Sequence, residues 1–320
     1  MMIALTLLMV IGAIYYSLFI GTMNVNAFLE SHNDLTILGQ RSVNHIKDEV
    51  SQSRKLYEED TIGQSYRTVM TLPSLRPQLS GSLLPLIETT GAIEPDGGTR
   101  RVGNSLLVAR EELPLSIWVD HDADSNTPDV EFLTDILRLE YFYLATNYDG
   151  GFYGNPYYLD LIKARSVAYA DYFQLSGLNP TVRQLVATEL NSQSITTAWD
   201  PSLRADLAFF SISTSGALSG PVAASIDMSD AQSLVPEFRG GSIQGKIDYS
   251  FGLQTDPALA IPEPVNLFAQ RSGDFPGGFE VLIVGPSSAR MVFSRLVLVS
   301  EHKGKLNAVT NSVISTTAEF

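Results

Sequence analysis

The chain carries no charged side chain before Glu30, and this apolar start constrains the fold more than any other feature of the sequence. Residues 1–20 read MMIALTLLMVIGAIYYSLFI. About 20 apolar residues rising 1.5 Å each cover the roughly 30 Å hydrocarbon core of a bilayer. A secretory signal peptide is the alternative, but no Lys or Arg precedes the apolar run, as a signal peptide requires. We therefore predict a transmembrane helix, with residues 1–25 as its membrane-spanning half.

The residues after the apolar run follow an amphipathic helix pattern. Between Phe28 and Tyr57, apolar side chains recur mostly at three-, four- and seven-residue spacings, with charged and amide side chains on the opposite side. The stretch contains no Pro, so the sequence predicts one helix over residues 2–58, about 85 Å long. Residues 26–60 form its amphipathic half, which we expect to pack on a globular domain.

The rest of the chain has the texture of a β-rich domain, because short apolar runs alternate with Pro, Gly, Asn and Asp. Strands are predicted at 66–72, 83–89, 105–109, 115–119, 136–145, 243–251, 280–284 and 291–300. Helices are predicted at 157–173, 180–190 and 201–210, although the first two fit strands equally well. The run 290–300 is apolar on both faces, which predicts a central strand with the long helix covering one face. The predicted fold class is α+β: a long N-terminal α-helix packed on a mainly antiparallel, β-rich domain over residues 61–320.

An acidic stretch in the middle of the chain has the spacing of a calcium loop. The candidate metal ligands are Asp120, Asp122, Asp124, Asn126 and Glu131. The three Asp side chains alternate and the Glu stands at the twelfth position, as in loops that surround Ca²⁺ with six to eight oxygen ligands. An EF-hand prefers Gly where Ser125 stands, and the flanking residues resemble strands. The sequence therefore predicts Ca²⁺ as a cofactor in a β-hairpin loop, and a solvated acidic loop without metal is the alternative.

Composition and motifs argue against nucleic-acid binding and catalysis. The chain has 21 Lys and Arg against 35 Asp and Glu, a net charge of −14 without a basic cluster, so we expect no nucleic-acid partner. It has no Cys, which excludes thiolate nucleophiles and Cys-ligated metals. Walker, nucleophile-elbow and dinucleotide-binding motifs are missing from the sequence. We expect a protein that is not an enzyme, and an anchored hydrolase is the least favoured interpretation.

Aromatic residues are concentrated between Tyr141 and Phe173. The alternation of Tyr141 and Tyr143 with Glu140 predicts that one face of this strand is simply buried. The alternative is an exposed stacking surface for sugars or a partner protein, for which residues 148–158 are the best candidates.

The N-terminal residues resemble a known family of helices. In type IV pilins and type II secretion pseudopilins, a Phe-Thr-Leu-Ile-Glu start is followed by Leu-Met-Ile-Ala-Leu and further apolar residues, and Met2-Ile3-Ala4-Leu5 matches that continuation. The amphipathic residues 30–57 are similar to those of PilW-type minor pilins and J-type minor pseudopilins. The resemblance implies a structural subunit for assembly of a type IV pilus or type II secretion pseudopilus. Its partners would be other pilin or pseudopilin subunits, bound through the N-terminal helix, and inner-membrane lipid.

The resemblance also implies a location and leaves one alternative. We expect a single-pass protein of the bacterial inner membrane, with its C-terminal domain periplasmic or extracellular and exposed in a surface filament after assembly. The basic leader and the Glu of the family precede the matched residues, and we expect the reading frame upstream of Met1 to encode them. The alternative is a membrane-anchored extracytoplasmic binding domain, a calcium-stabilised adhesin or sugar binder, that never enters a filament.

Overall fold

The computed structural model contains one long helix and a strand-rich domain. It describes residues 2–89, 102–120, 129–146, 158–202, 208–222, 225–234, 249–250, 252–253, 278–302 and 305–319. The α-helices in these ranges are α1 (Met2–Ser51), α2 (Thr61–Val69), α3 (Tyr172–Gly177) and α4 (Pro180–Ser192). The strands are β1 (Ser53–Tyr57), β2 (Met70–Thr71), β3 (Ile87–Glu88), β4 (Ser105–Glu111), β5 (Leu115–Val119), β6 (Val130–Thr134), β7 (Ile136–Thr146), β8 (Tyr158–Arg165), β9 (Tyr169–Asp171), β10 (Thr197–Trp199), β11 (Phe209–Ile212), β12 (Leu218–Ser219), β13 (Ile226–Asp227), β14 (Asp230–Ser233), β15 (Tyr249–Ser250), β16 (Gly252–Leu253), β17 (Phe279–Val284), β18 (Arg290–His302) and β19 (Lys305–Thr317).

The long helix α1 runs without interruption for 50 residues, about 75 Å, and changes its surroundings halfway. Its second half buries one stripe of apolar side chains, namely Leu35, Leu38, Val43, Ile46 and Val50. Residues at such spacings lie on one side of a helix, and most of the polar residues between them remain exposed, with Ser42 and Glu49 as buried exceptions. The predicted amphipathic half is therefore confirmed as the half that packs on the domain.

The helix ends at Ser51, and the prediction that it continues to residue 58 is wrong. Residues Ser53–Tyr57 form β1, which pairs with β4 in antiparallel register. The hydroxyl of Ser53 donates to the carbonyl of Val50 at 2.7 Å, at the point where the chain leaves the helix. A helix would place Tyr57 on the same face as Val50, but in β1 Leu56 enters the core of Val50 and Tyr57 enters the core on the other face of the sheet. The backbone partners that β4 offers decide for the strand.

Two sheets dominate the strand-rich domain. In the larger one the strand order is β1-β4-β7-β9-β10-β11-β12, with β8 also beside β7 and with β14 and β16 against β8. The smaller one has the order β15-β18-β17-β3, with β19 on the other side of β18. Within the described ranges, only the pairs β9–β10, β2–β13 and β3–β17 are parallel. The predicted α+β class with a mainly antiparallel domain is thus confirmed.

One hydrophobic core joins α1 to both sheets. It contains the buried stripe of α1, Leu106 and Val108 of β4, Phe142 and Leu144 of β7, Leu159 and Leu161 of β8, Phe279, Val281 and Ile283 of β17, Val292, Leu296 and Leu298 of β18, and Val309 of β19. The other face of the larger sheet buries a second core around the fully enclosed Trp199, with Tyr57, Tyr66, Tyr141 and Tyr143. Tyr141 and Tyr143 occupy this core, in agreement with the prediction that one face of their strand is buried.

The predicted central strand corresponds to β18, which lies between β17 and β19. Its Val292, Leu296 and Leu298 face the core shared with α1, as predicted. The adjacent edge strand β19 was missed by the sequence analysis. Gly39 of α1 approaches it so closely that a Cβ at this position would lie 1.8 Å from Nδ2 of Asn311, which explains a glycine in the middle of this helix.

Several predicted elements are wrong in type. The strand at 66–72 is mostly α2, because Asp60 caps a helix by accepting hydrogen bonds from the N–H groups of Ile62 and Gly63 at 3.0 and 2.8 Å. The helix at 157–173 is instead β8, β9 and the start of α3, so its strand alternative is the correct one. The strand at 83–89 is reduced to β3.

Other predictions are confirmed or fall partly outside the described ranges. The helix at 180–190 is confirmed as α4, which begins at Pro180 after the capping residue Asn179. Of the predicted helix at 201–210, residues 203–207 lie outside the described ranges and residues 209–210 begin β11. The predicted strand at 243–251 lies outside them except for β15.

The docking of α1 gives a first testable prediction. Val50→Asp should lower the free energy of unfolding by several kcal/mol, because Val50 is completely buried and the new carboxylate would have no partner in the core. Thermal unfolding of the full chain in detergent, followed by circular dichroism, measures the effect. Asn44→Asp adds the same charge on the exposed side of α1 and should leave the melting temperature nearly unchanged. Equal melting temperatures for the two variants would contradict this packing.

Candidate functional site

The first half of α1 exposes apolar side chains in every direction. Between residues 9 and 29 the large apolar side chains are 39–71% exposed. Met9, Val10 and Ile11 follow one another and so point about 100° apart around the helix, which rules out a single buried stripe. A helix that is apolar all round is stable only where lipid or other protein covers it. This segment, residues 9–29, is hereafter called the apolar segment.

The apolar segment has the dimensions of a membrane anchor. Within the described part of the chain, α1 is the one helix long and apolar enough to cross a membrane. Residues 9–29 rise about 30 Å, which matches the hydrocarbon core. The hydroxyl of Thr22 donates to the carbonyl of Leu18 at 2.9 Å, so this polar group is satisfied inside the helix.

A group of charged residues lies where the second half of α1 meets the larger sheet. On β8, Leu159, Leu161, Lys163 and Arg165 alternate along the strand, so the two cations share the face of the two buried leucines. The neighbouring strands contribute Arg110 and Glu140 to the same face, and α1 contributes Glu49. We call these five residues the charged junction: Glu49, Arg110, Glu140, Lys163 and Arg165.

Glu49 connects α1 to two strands at once. The Nζ atom of Lys163 donates to Oε1 of Glu49 at 2.6 Å and lies 3.2 Å from Oε1 of Glu140. The Nε atom of Arg110 lies 2.7 Å from Oε2 of Glu49. Glu49, Glu140 and Lys163 are at most 5% exposed, so these ion pairs are screened little by solvent. The charged junction thus ties the last turns of α1 to β4, β7 and β8.

The charged junction shifts the pKa values of its acidic groups in opposite directions. Burial raises the pKa of Glu140 above its usual value, and the nearby charge of Glu49 adds to the rise against the opposing effect of Lys163. Burial also acts to raise the pKa of Glu49, but its hydrogen bond and ion pairs with Lys163 and Arg110 outweigh burial and lower that pKa. Burial and the charge of Lys163 lower the pKa of His45, which lies one helical turn before Glu49.

Removal of the shared cation should destabilise this junction strongly. In Lys163→Met the carboxylates of Glu49 and Glu140 would lose the closer of the two cations that both contact, so the expected loss is about 3–5 kcal/mol of unfolding free energy. Urea unfolding of the full chain in detergent measures this loss. Lys47→Met, on the exposed side of α1, is the matched control and should change stability by less than about 0.5 kcal/mol. A loss no larger than that of the control would contradict a structural role for the junction.

The predicted calcium loop lies at the end of a β-hairpin. Strands β5 and β6 pair in antiparallel register, which confirms strands rather than EF-hand helices on either side. Asp120 directly follows β5, and Glu131 lies on β6, where its Oε1 accepts a hydrogen bond from Oγ of Ser116 at 2.5 Å. The other candidate ligands, Asp122, Asp124 and Asn126, lie outside the described residues. Among the described residues there is no group of three or more His, Asp or Glu side chains that could hold a metal ion.

Calcium binding therefore stays a prediction with a direct test. Titration of Ca²⁺ into the chelator-treated protein should release or absorb heat and raise the melting temperature, because an ion that binds only the folded state stabilises it. Asp122→Ala should abolish both effects. Asp129→Ala, in the same loop but outside the ligand set, is the matched control and should retain them. No heat and no melting shift in the unaltered protein would favour the solvated loop.

A cleft of about 370 Å³ opens beside β1, with Lys55, Arg290 and Glu319 among its lining residues. These charged groups hold the fold together. Lys55 donates to the carbonyl of Pro201 at 2.7 Å, and Glu319 accepts hydrogen bonds from the Leu56 N–H at 2.8 Å and from Nε of Arg290 at 2.9 Å. These hydrogen bonds join β1 to Glu319, which follows the last strand of the smaller sheet.

The charged junction was not predicted from the sequence, although the position of Lys163 carried a signal of burial. Glu140 was assigned to the polar side of β7, yet it is completely buried. Lys163 follows Leu159 and Leu161 at two-residue spacing, which places it on a buried face if β8 is read as a strand.

No protein-family model, curated protein or solved structure matches this chain. The function is therefore inferred from the apolar segment and from the contacts that hold the rest of α1.

Proposed function

We propose that this protein is a minor pilin-like or pseudopilin-like structural subunit for assembly of a type IV pilus or type II secretion pseudopilus. The observation that supports the proposal is the division of α1 into an exposed apolar half and a half buried in the domain. A subunit of this shape holds its domain at a membrane or on a filament of packed helices. The proposed location is the bacterial inner membrane, with the domain periplasmic or extracellular.

The apolar segment needs a covering that the rest of the described chain does not provide. Each large apolar side chain that leaves water contributes about 1.5–3 kcal/mol, so the exposed side chains from residues 9 to 29 represent a strong driving force. Lipid tails are as apolar as Leu side chains, and helices in membranes associate through close packing rather than through a hydrophobic difference. A helix of this kind is therefore able to pass from lipid into a bundle of similar helices.

The docked second half of α1 also supports the proposal. Its apolar stripe shares a core with both sheets, and Glu49 ties its last turns to β4 and β8. If the apolar segment is held in a filament, a rigid connection of this kind fixes the position of the outer domain. The same connection would serve an anchored binding domain, so the partners of the apolar segment distinguish the two functions.

Photo-crosslinking in the producing bacterium tests the proposal. The chain has no Cys, so Leu18→Cys places a single thiol on the apolar segment for a benzophenone label. We expect irradiated membranes to yield adducts with small proteins that also begin with an apolar helix. The matched control is Asn44→Cys, on the exposed side of the docked half, which should yield few such adducts.

A deletion strain provides the functional readout. Loss of the protein should reduce the number of surface filaments or the secretion of type II substrates, and the unaltered chain should restore them. Adducts at position 18 with lipid alone, together with normal filaments and normal secretion in the deletion strain, would overturn the proposal. That result would favour the membrane-anchored extracytoplasmic binding domain.

A further inference from the structure

The cations of the charged junction lie at unequal distances from its two buried carboxyl groups, Glu49 and Glu140. Lys163 lies 2.6 Å from Glu49 and 3.2 Å from Glu140. Arg110 lies 2.7 Å from Glu49 and 3.4 Å from Glu140. Arg165 lies 2.6 Å from Glu112 and 3.3 Å from Glu140. Every cation is therefore closer to another carboxylate than to Glu140, although Glu140 is completely buried.

Two oxygen atoms in the junction lack a hydrogen-bond donor. Oε2 of Glu140 and Oε2 of Glu49 are both buried without a hydrogen-bond partner, since Arg110 approaches Glu49 without the alignment of a hydrogen bond. The two carboxyl groups are neighbours, because their Oε1 atoms lie 2.6 and 3.2 Å from the same Nζ atom of Lys163. Buried acceptors without donors are costly, and two adjacent carboxylates repel each other. One proton between them would relieve both costs.

We propose that the charged junction is a proton-binding site in which Glu140 holds one proton and donates it to Glu49, so that proton uptake tightens the docking of α1 on the sheet. The hydrogen bond formed in this way links α1 directly to β7. Glu49 remains an anion and keeps its ion pairs with Lys163 and Arg110. This inference depends only on the geometry of the junction and holds whether or not the proposed function is correct.

The groups that face this pair from every neighbouring element define the expected pH dependence. They are His45 and Asp48 on α1, Gln52 after α1, Arg110 on β4, Glu112 after β4, Arg138 on β7, and Lys163 and Arg165 on β8. Since the pKa of Glu140 is raised by burial, the folded chain binds its proton more tightly than the unfolded chain does. Stability should therefore rise as pH falls through the raised pKa toward the usual carboxyl value.

Two other groups act in the opposite sense. The pKa of His45 is lowered by burial and by Lys163, so its protonation below the usual His value favours the unfolded chain. The pKa of Glu49 is lowered by Lys163 and Arg110 in spite of burial, so its contribution is lost only at more acidic pH. His45→Gln removes the first of these effects and gives a background in which the Glu140 proton is measured alone.

Urea unfolding of the full chain in detergent, in the His45→Gln background, tests the proposal between pH 4.5 and 8. We expect the midpoint to rise on mild acidification. Glu140→Gln imitates the protonated carboxyl, so it should raise the midpoint at pH 8 by roughly 0.5 M urea and abolish the rise. Glu49→Gln removes the anion that Lys163 and Arg110 require, so it should lower the midpoint at every pH. The two isosteric substitutions should thus act in opposite directions.

Two further measurements keep the test decisive. Glu112→Gln neutralises a carboxylate bound to Arg165 and Arg138 and should leave the rise on acidification in place. Carbon-13 NMR of the side-chain carboxyls in the unaltered chain should show Glu140 titrating above the usual range and Glu49 below it, whether or not every variant folds. A Glu140→Gln variant destabilised as much as Glu49→Gln, or a Glu140 titration in the usual range, would overturn the proposal.

Discussion

The structure depends on the burial of one stripe of α1 between two sheets. The stripe from Leu35 to Val50 completes a core to which β4, β7, β8, β17, β18 and β19 all contribute. Without the helix, the inner face of each sheet would expose its apolar residues to water, which costs about 25 cal/mol for each Å². The second core, around Trp199, lies on the far face of the larger sheet, and none of its described members belongs to α1. Docking of α1 therefore completes the core that the two sheets share.

The charged junction adds specificity to this apolar contact. Burial of ion pairs contributes little net stability, because desolvation of the charges offsets their attraction. An apolar stripe alone tolerates small shifts of a helix along a sheet, whereas Lys163 and Arg110 meet Glu49 in one alignment only. A rotation of α1 by one residue would bring Asp48 or Val50 to that position and leave buried cations without their partner. The junction thus defines which residue of the helix faces which strand.

The sequence predicted those elements of the fold that leave a repeating pattern along the chain. The uncharged start, the helical spacing up to Val50 and the doubly apolar run of β18 led to the long helix and its packing on the sheet. The strand β19 was not predicted because the buried polar residues Asn311, Ser315 and Thr317 interrupt the apolar pattern of Val309 and Val313 on the same face. Asn311 lies against Gly39, where α1 approaches this strand closely. The junction was not predicted because its charges come from four distant segments, and no local pattern indicates that they meet.

The packing of α1 along the smaller sheet has a mechanical consequence. The helix lies against β18 and β19, and the hydroxyl of Thr317 at the end of β19 donates to the carbonyl of Ser53 at 2.7 Å. A pull on the apolar segment along the axis of α1 therefore loads its contacts with the domain in shear, and all of them share the force. Separation would require the stripe, the Glu49 ion pairs and the Gly39 contact to give way together. A helix held in this manner moves the domain with it as a rigid body when its free end is displaced.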